Sequence, residues 1–166
     1  DEWFGYLNQR RAHSFYPTFI WLNEGRFDLP GNADGKQQQY THDLFTGFAL
    51  SFIRKNKSKP FFLYLTHYAV HTPIQAKKSL VARYKAKAPV GGHKNASYAA
   101  MIESMDENVG KVLAAIDAVE AAGHQVVKVI TILDRNEGGS DKLRSRGYDF
   151  VALLSANEKG EIIPLN

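Results

Sequence analysis

Not one cysteine occurs in the 166 residues. That absence excludes disulfides, thiolate zinc sites and a cysteine nucleophile. No apolar run reaches the roughly 18 residues that a membrane span needs, so no membrane partner is expected. Residues 44–102 lack acidic side chains altogether while carrying ten Lys and Arg. Internal repeats and low-complexity linkers are also missing. What is present, 44% hydrophobic and 23% charged residues, is ordinary for a globular chain and rules out collagen, coiled coil and bulk disorder. The length suits one domain with a real core.

The formal net charge of +4 is unevenly spread. Residues 1–43 sum to −2, the acid-free block to +10, and residues 103–166 to −4. A block of one sign draws anions by long-range attraction, whether sulfate, phosphate or a polyanion. A solvated lysine face, balanced by acids elsewhere in the fold, accounts for the same pattern. The aromatics of residues 1–40 have few Lys or Arg among them, so nucleic acid is not an expected partner.

Local signals predict an alternation of helices and strands. Pro30-Gly31-Asn32 and Asp34-Gly35 mark turns, the second of hairpin type. Thr41 reads as the N-cap of a helix whose Leu44, Phe45, Phe48, Phe52 and Ile53 share one face. Lys59-Pro60 stops it, and residues 61–65 (Phe-Phe-Leu-Tyr-Leu) read as a strand buried on both faces of a parallel sheet. His67 and His71 follow immediately, and ligands in open α/β sheets bind beyond the carboxyl ends of strands.

Residues 77–87 suggest a short basic helix, broken by Gly91-Gly92. Asn95 or Ser97 then caps a long helix with an apolar stripe from Tyr98 through Met101, Ile102, Met105 and Val109 to Val119. A β-branched strand at 126–133, a loop at 134–139, a helix capped by Ser140 and a strand at 148–154 complete the pattern. The expected fold class is α/β: a three-layer arrangement with a mostly parallel sheet flanked by helices.

Five blocks carry a resemblance. They are residues 1–17 with Asp1-Glu2-Trp3-Phe4-Gly5-Tyr6 and Ala12-His13-Ser14-Phe15-Tyr16-Pro17, then Thr41-His42-Asp43-Leu44-Phe45-Thr46, then Lys59-Pro60 with residues 61–65, then His71-Thr72-Pro73-Ile74-Gln75-Ala76, then residues 98–106. In this order they resemble the middle of arylsulfatases, over about residues 1–111, as part of an alkaline-phosphatase/sulfatase-like domain. The resemblance implies that His71 contacts the sulfate ester and is the catalytic residue of this segment. It implies more weakly that His13 lines the substrate pocket. A strand-end histidine suits that chemistry, since a sulfate ester needs donors that hold the group and stabilise charge on the departing oxygen. A histidine that only bonds the turn at Pro73 is the structural alternative.

The sulfatase nucleophile is a Cys or Ser in a Cys/Ser-x-Pro-x-Arg cassette, converted to formylglycine. Ser58-Lys59-Pro60 comes nearest, with Phe62 where arginine is needed. The resemblance therefore places Asp1 inside the family domain, and no turnover is expected of the chain alone. Calcium is the family's cofactor. Its ligands here would be Asp134 and Asn136, but Arg135 stands between them and brings a cation to the site, so calcium is not expected to bind.

Residues 112–166 look instead like the end of an orotate phosphoribosyltransferase, through Ala115-Ile116-Asp117-Ala118-Val119-Glu120-Ala121-Ala122-Gly123-His124, residues 126–133 and Asp134-Arg135-Asn136-Glu137-Gly138-Gly139. That resemblance assigns Arg135 to the orotate carboxylate, which a guanidinium holds bidentately. Pairing of Arg135 with Asp134 or Glu137 in a surface loop is equally open. The expected organisation is a sulfatase-like segment, 1–111, joined in register to a phosphoribosyltransferase-like segment, 112–166, packed as one α/β unit. Asn95-Ala96-Ser97 fits a glycosylation acceptor, a pattern common by chance.

Three functions follow as expectations: a sulfatase-family segment related to sulfuric ester hydrolysis, an orotate phosphoribosyltransferase-derived one, or a non-enzymatic α/β module binding polyanions. The partner would be a sulfate ester or another anionic small molecule. The compartment would be periplasmic or secreted in the first case and cytoplasmic in the second. Half-sheets cut from larger domains leave unpaired edges, which points to a homo-oligomer.

Overall fold

The computed structural model describes residues 1–134, 136, 138–157 and 161–164. It divides into two compact units, Asp1–Ala118 and Val119–Asn166. Helices and sheets alternate along the chain, which makes the fold α/β. The sheets are small and mixed.

In the first unit β1 (Phe4–Gly5), β2 (Phe19–Leu22) and β3 (Gly25–Asp28) form an antiparallel sheet in the order β1-β2-β3. The tight turn lies between β2 and β3, where Leu22 pairs with Gly25 and Asn23 takes a φ of 52°, a left-handed conformation that asparagine tolerates. The hairpin expected at Asp34-Gly35 is a 3₁₀ segment instead, Pro30–Gly35, with Asp34 itself left-handed. Buried Asn32 explains this shape. Its amide donates to the carbonyls of Pro17 and Gln39, both at 2.8 Å, and accepts from the Gln39 N–H, also at 2.8 Å. A buried amide with three partners folds the 30–39 loop back on itself.

Helix α1 (Gln9–Ala12) is one turn, capped by Asn8 Oδ1 on the Arg11 N–H and ending at His13. Helix α2 (Thr41–Asn56) begins one residue beyond its cap, Tyr40, so Thr41 is its first helical residue. The Thr41 hydroxyl faces inward, toward Phe15 O and the Tyr68 hydroxyl. Phe45, Ala49 and Ile53 are buried along α2, each large one stabilising by about 1.5–3 kcal/mol. The core has two clusters, Phe15–Tyr40–Met101 and Ile20–Leu29–Phe45, with Tyr68 packed against both.

The strand expected at 61–65 does not form. Neither sheet nor the isolated Val90–His93 bridge offers it a pairing partner among the described residues. Phe62 and Tyr64 are 74% and 64% exposed as a result. A parallel strand exists only through its neighbours.

Helix α3 (Lys78–Lys85) occupies the basic segment. Helix α4 (Ala96–Ala121) is capped by Asn95, whose Oδ1 accepts the Tyr98 N–H at 3.0 Å. Its buried face is Ala100, Met101, Ser104 and Asn108, while Tyr98, Ile102 and Val109 of the expected apolar stripe are exposed. The polar partner decides this rotation: Asn108 Nδ2 donates to Asp43 Oδ1 at 3.2 Å.

The second unit is a β-α-β crossover. Strand β4 (Val129–Asp134) pairs in parallel with β5 (Phe150–Ala156), and β6 (Ile162–Pro164) adds antiparallel to β5. Helix α5 (Gly139–Ser145) lies between them in sequence, flanked by Gly138 and Gly147 at φ 87° and 85°, positions that favour glycine. Buried Tyr148 donates its hydroxyl to Glu120 Oε2 at 3.1 Å.

Candidate functional site

The segment 66–76 has no regular secondary structure and is held by hydrogen bonds to two other elements. Gln75 accepts the Phe15 N–H through Oε1 at 2.9 Å, and its carbonyl accepts the Tyr40 hydroxyl at 3.1 Å. Ala69 N–H donates to Nε2 of His42 at 3.1 Å. His71 closes a turn by donating its N–H to Tyr68 O at 2.9 Å. The segment after α1 is tied to the same helix, since Thr41 N–H donates to Phe15 O at 3.0 Å.

These ties bring the two histidines of the expected site together. His13 and His71 are both exposed, with ring centres 5.2 Å apart and planes crossing at 75°. His13 Nδ1 lies 2.8 Å from Gln9 O, and His71 Nδ1 lies 2.7 Å from Thr72 O, with Thr72 Oγ1 3.5 Å from the same nitrogen. A carbonyl only accepts, so each Nδ1 carries the hydrogen. Nε2 is the nitrogen left for a ligand on both rings.

A second histidine pair lies within the first unit. His42 is fully buried and stacks on His67, with ring centres 5.3 Å apart and planes 13° from parallel. Burial first, and the neighbouring His67 next, pull His42 down to about 3 from the ordinary 6.5. Burial also lowers His67. Nδ1 of His42 and both ring nitrogens of His67 have no hydrogen-bond partner among the described residues. Sequence reasoning gave His42 no role. A histidine in the first turn of an amphipathic helix carries no signal of what will pack above it.

A hydroxyl cluster joins the same elements. Tyr68 OH is 2.6 Å from Thr41 Oγ1 and 2.9 Å from Tyr6 OH, and Tyr6 OH donates to Ser14 O at 2.8 Å. Burial raises the Tyr6, Tyr40 and Tyr68 phenols above their ordinary value and pushes Tyr16 up to about 12, so these phenols are hydrogen-bonding groups rather than bases. Nearby, Lys77 Nζ lies 2.8 Å from Asp43 Oδ1 and 3.9 Å from Glu107 Oε2. Arg83 pairs with Glu103, and Lys55 with Glu2. Parts of the acid-free block are therefore balanced by carboxylates from outside it.

The expected calcium ligands lie in the second unit. Asp134 Oδ1 accepts the Asn136 N–H at 2.9 Å, and this bond, followed by one from Ser140, holds its carboxyl below the usual range. The Asn136 amide donates to Ser155 Oγ and Ala156 O, both at 2.8 Å. Asp134 and Asn136 thus close a loop around each other. Among the described residues no group of three His, Asp or Glu could hold a metal. Arg135 lies outside the described residues.

The family model named Sulfatase matches residues 2–122. The chain belongs to the sulfatase family. A sulfatase of Formosa agariphila is 38% identical over 73 residues, covering 43% of this chain and 13% of that protein. Arylsulfatase H of Homo sapiens is 38% identical over 79 residues, covering 48% and 12%. Orotate phosphoribosyltransferases match the C-terminal part. That of Methanosarcina mazei is 33% identical over 87 residues, covering 52% of this chain and 46% of that protein. That match is longer than the stretch beyond residue 122, so the two similarities overlap. The chain thus spans about an eighth of the length of the two sulfatases and under half of the phosphoribosyltransferase. The sulfatase family generally binds calcium.

Proposed function

We propose that the chain supplies the histidine side of a sulfate-ester site, with His71 touching the sulfate group and His13 lining the pocket beside it. The observation that carries this reading is the approach of two exposed imidazoles, 58 positions apart, to 5.2 Å. Each Nδ1–H is given to a carbonyl, so a ring can donate to a sulfate oxygen only through Nε2–H of its imidazolium. Charge and hydrogen bond then act on the same anion. The surrounding +10 block favours such ligands at longer range.

The 166 residues contain no Cys/Ser-x-Pro-x-Arg cassette, so the chain binds an aryl sulfate without cleaving it. In the three-layer sheet we propose for the full domain, residues 61–65 pair on both sides as a central strand. Titration of 4-nitrophenyl sulfate, with EDTA present, tests the reading. His71→Ala is expected to weaken binding by about 10–100-fold, the worth of a hydrogen bond to a charged group. Equal affinity in the variant overturns the site, and released nitrophenol overturns the lack of turnover.

The phosphoribosyltransferase match favours a second reading for the C-terminal part: it has a separate ancestry, with the change of ancestry proposed near residues 111–112 inside the overlap of the two similarities, and Arg135 holds an orotate carboxylate. Orotate titration against Arg135→Ala tests it, and identical binding by both proteins would remove it.

A further inference from the structure

We infer that the outward face of the β1–β3 sheet binds an anionic sugar, whose oxyanion group is held between Arg11 and Arg26. The strand register defines that face. Phe19 pairs with Asp28, and Trp21 with both Arg26 and Gly5, so these positions share one side of the sheet. Ile20, between them, points the other way and is fully buried in the core. Arg26 and Asp28 are exposed, and Phe19 and Trp21 are half-buried. Trp3 joins them, since its Cζ2 lies 3.3 Å from the place a Gly5 Cβ would take. The two tryptophans of the chain thus lie on this one face.

Phe19 is the centre of the arrangement. The guanidinium carbon of Arg11 sits 3.6 Å from its ring centre, and that of Arg26 sits 3.9 Å from it. Two guanidiniums this close on one face of the ring would overlap, so they take opposite faces. A guanidinium held by its flat side keeps its N–H donors at the rim, open to an acceptor. Arg26 has given its Nε–H to Asp28 Oδ1 at 2.6 Å. Among the described residues the Arg11 guanidinium has no hydrogen-bond or ion-pair partner besides this ring. Two like charges flank one phenyl group and a single carboxylate answers them, so the stack carries excess positive charge.

An oxyanion at the rim of Phe19 answers that excess. The edge of an aromatic ring is its positive part. A group seated in the ring plane is one stacking distance from each guanidinium, so its oxygens reach donors on both sides at about 2.7–2.9 Å. A sulfate ester and a carboxylate share this chemistry, and a neutral sugar lacks it. The sugar that carries the group finds indole surface beside it, for Trp21 touches Phe19 with ring centres 6.2 Å apart. A nucleic-acid strand fits less well. It needs open aromatic faces for its bases, whereas both faces of Phe19 are covered, and exposed Glu24 and Asp28 repel a phosphate backbone.

Tryptophan fluorescence tests the face directly, because both tryptophans lie on it. Galactose 6-sulfate and galacturonate, titrated separately into the full chain, are expected to shift the emission, and their relative affinities tell a sulfate ligand from a carboxylate. Galactose itself should bind about 10–100-fold more weakly than the tighter of the two, the worth of a hydrogen bond to a charged group. Arg11→Gln should lose the same factor for the charged sugars, and Arg11→Lys, which keeps the charge without the flat fork, should lose part of it. The thermal transition of each variant checks its fold. His71→Ala should leave the emission titration unchanged, so the aryl sulfate reading at the histidines stands or falls separately. No emission change, equal affinity for galactose, or equal affinity in Arg11→Gln overturns the proposal. So does loss of the titration in His71→Ala. Tighter binding of a single-stranded oligonucleotide would give the face to nucleic acid, and emission that changes with protein concentration alone would give it to a second copy; either overturns the proposal as well.

Discussion

His42 and His67 lie face to face inside the first unit, 5.3 Å apart, and three of their four ring nitrogens have no protein partner among the described residues. Neutral rings tolerate this arrangement and charged rings do not. His42 binds its proton only at about pH 3 in the folded state but at about 6.5 when exposed. Between those values the unfolded chain holds more protons than the folded one, so stability falls as pH drops from 6.5 toward 3. Urea denaturation between pH 7 and 4.5 should show that decline, up to about 1.4 kcal/mol per pH unit for each such histidine. His42→Gln, which keeps an acceptor for Ala69, should flatten it. A slope unchanged in that variant would exclude His42 as its source.

Lys77 holds Asp43 while both are partly screened from water, 21% and 39% exposed. Lys77→Met should lower stability by about 1–2 kcal/mol, between the worth of a surface pair and that of a buried one. High salt should narrow the difference between variant and parent, read from urea midpoints at two ionic strengths.

Residues 61–65 pair with no strand among the described residues and carry three exposed aromatics, Phe61, Phe62 and Tyr64. Such an edge promotes self-association, and a charge placed on it opposes that. Phe62→Lys should leave stability within about 0.5 kcal/mol, because the side chain is 74% exposed, while lowering any concentration-dependent self-association read by sedimentation.

Asn95 caps the longest helix. Asn95→Ala should cost about 1 kcal/mol, whereas Asn95→Asp should cost little, since its carboxylate accepts the same N–H and suits a helix N-terminus. Thermal unfolding of the two variants would separate capping from loss of any modification at Asn95-Ala96-Ser97.

The helices were the legible part of the fold. The spacing in α2, the basic α3, the capped α4 and the Gly147 stop of α5 are local, and local chemistry sets them. What eluded the sequence was relational. Residues 61–65 have a strand's composition, yet a strand is defined by partners. The α4 stripe was correct as a pattern, but Asn108 and its bond to Asp43 set which side faces inward. At the site, the resemblance singled out His13 and His71, while their approach came from the Phe15 N–H bonded to the Gln75 side chain and the Thr41 N–H bonded to Phe15 O. The Asn136 amide and its Ser155 partner lie 19 positions apart, a loop closure no local motif announces.

The hydroxyl cluster of Tyr6, Tyr68 and Thr41 has a consequence that appears when its hydrogens are counted. Three hydroxyls supply three protons to five close oxygen contacts: Tyr6 with Ser14 O and Tyr68, Tyr68 with Thr41 and Ser14 O, and Thr41 with Phe15 O. Two contacts at any instant hold facing lone pairs, so the protons have several orderings and cannot satisfy all oxygens together. In Tyr68→Phe the count balances, with Tyr6 donating to Ser14 O and Thr41 to Phe15 O. The most connected hydroxyl of the cluster is thereby the one whose removal strands no donor.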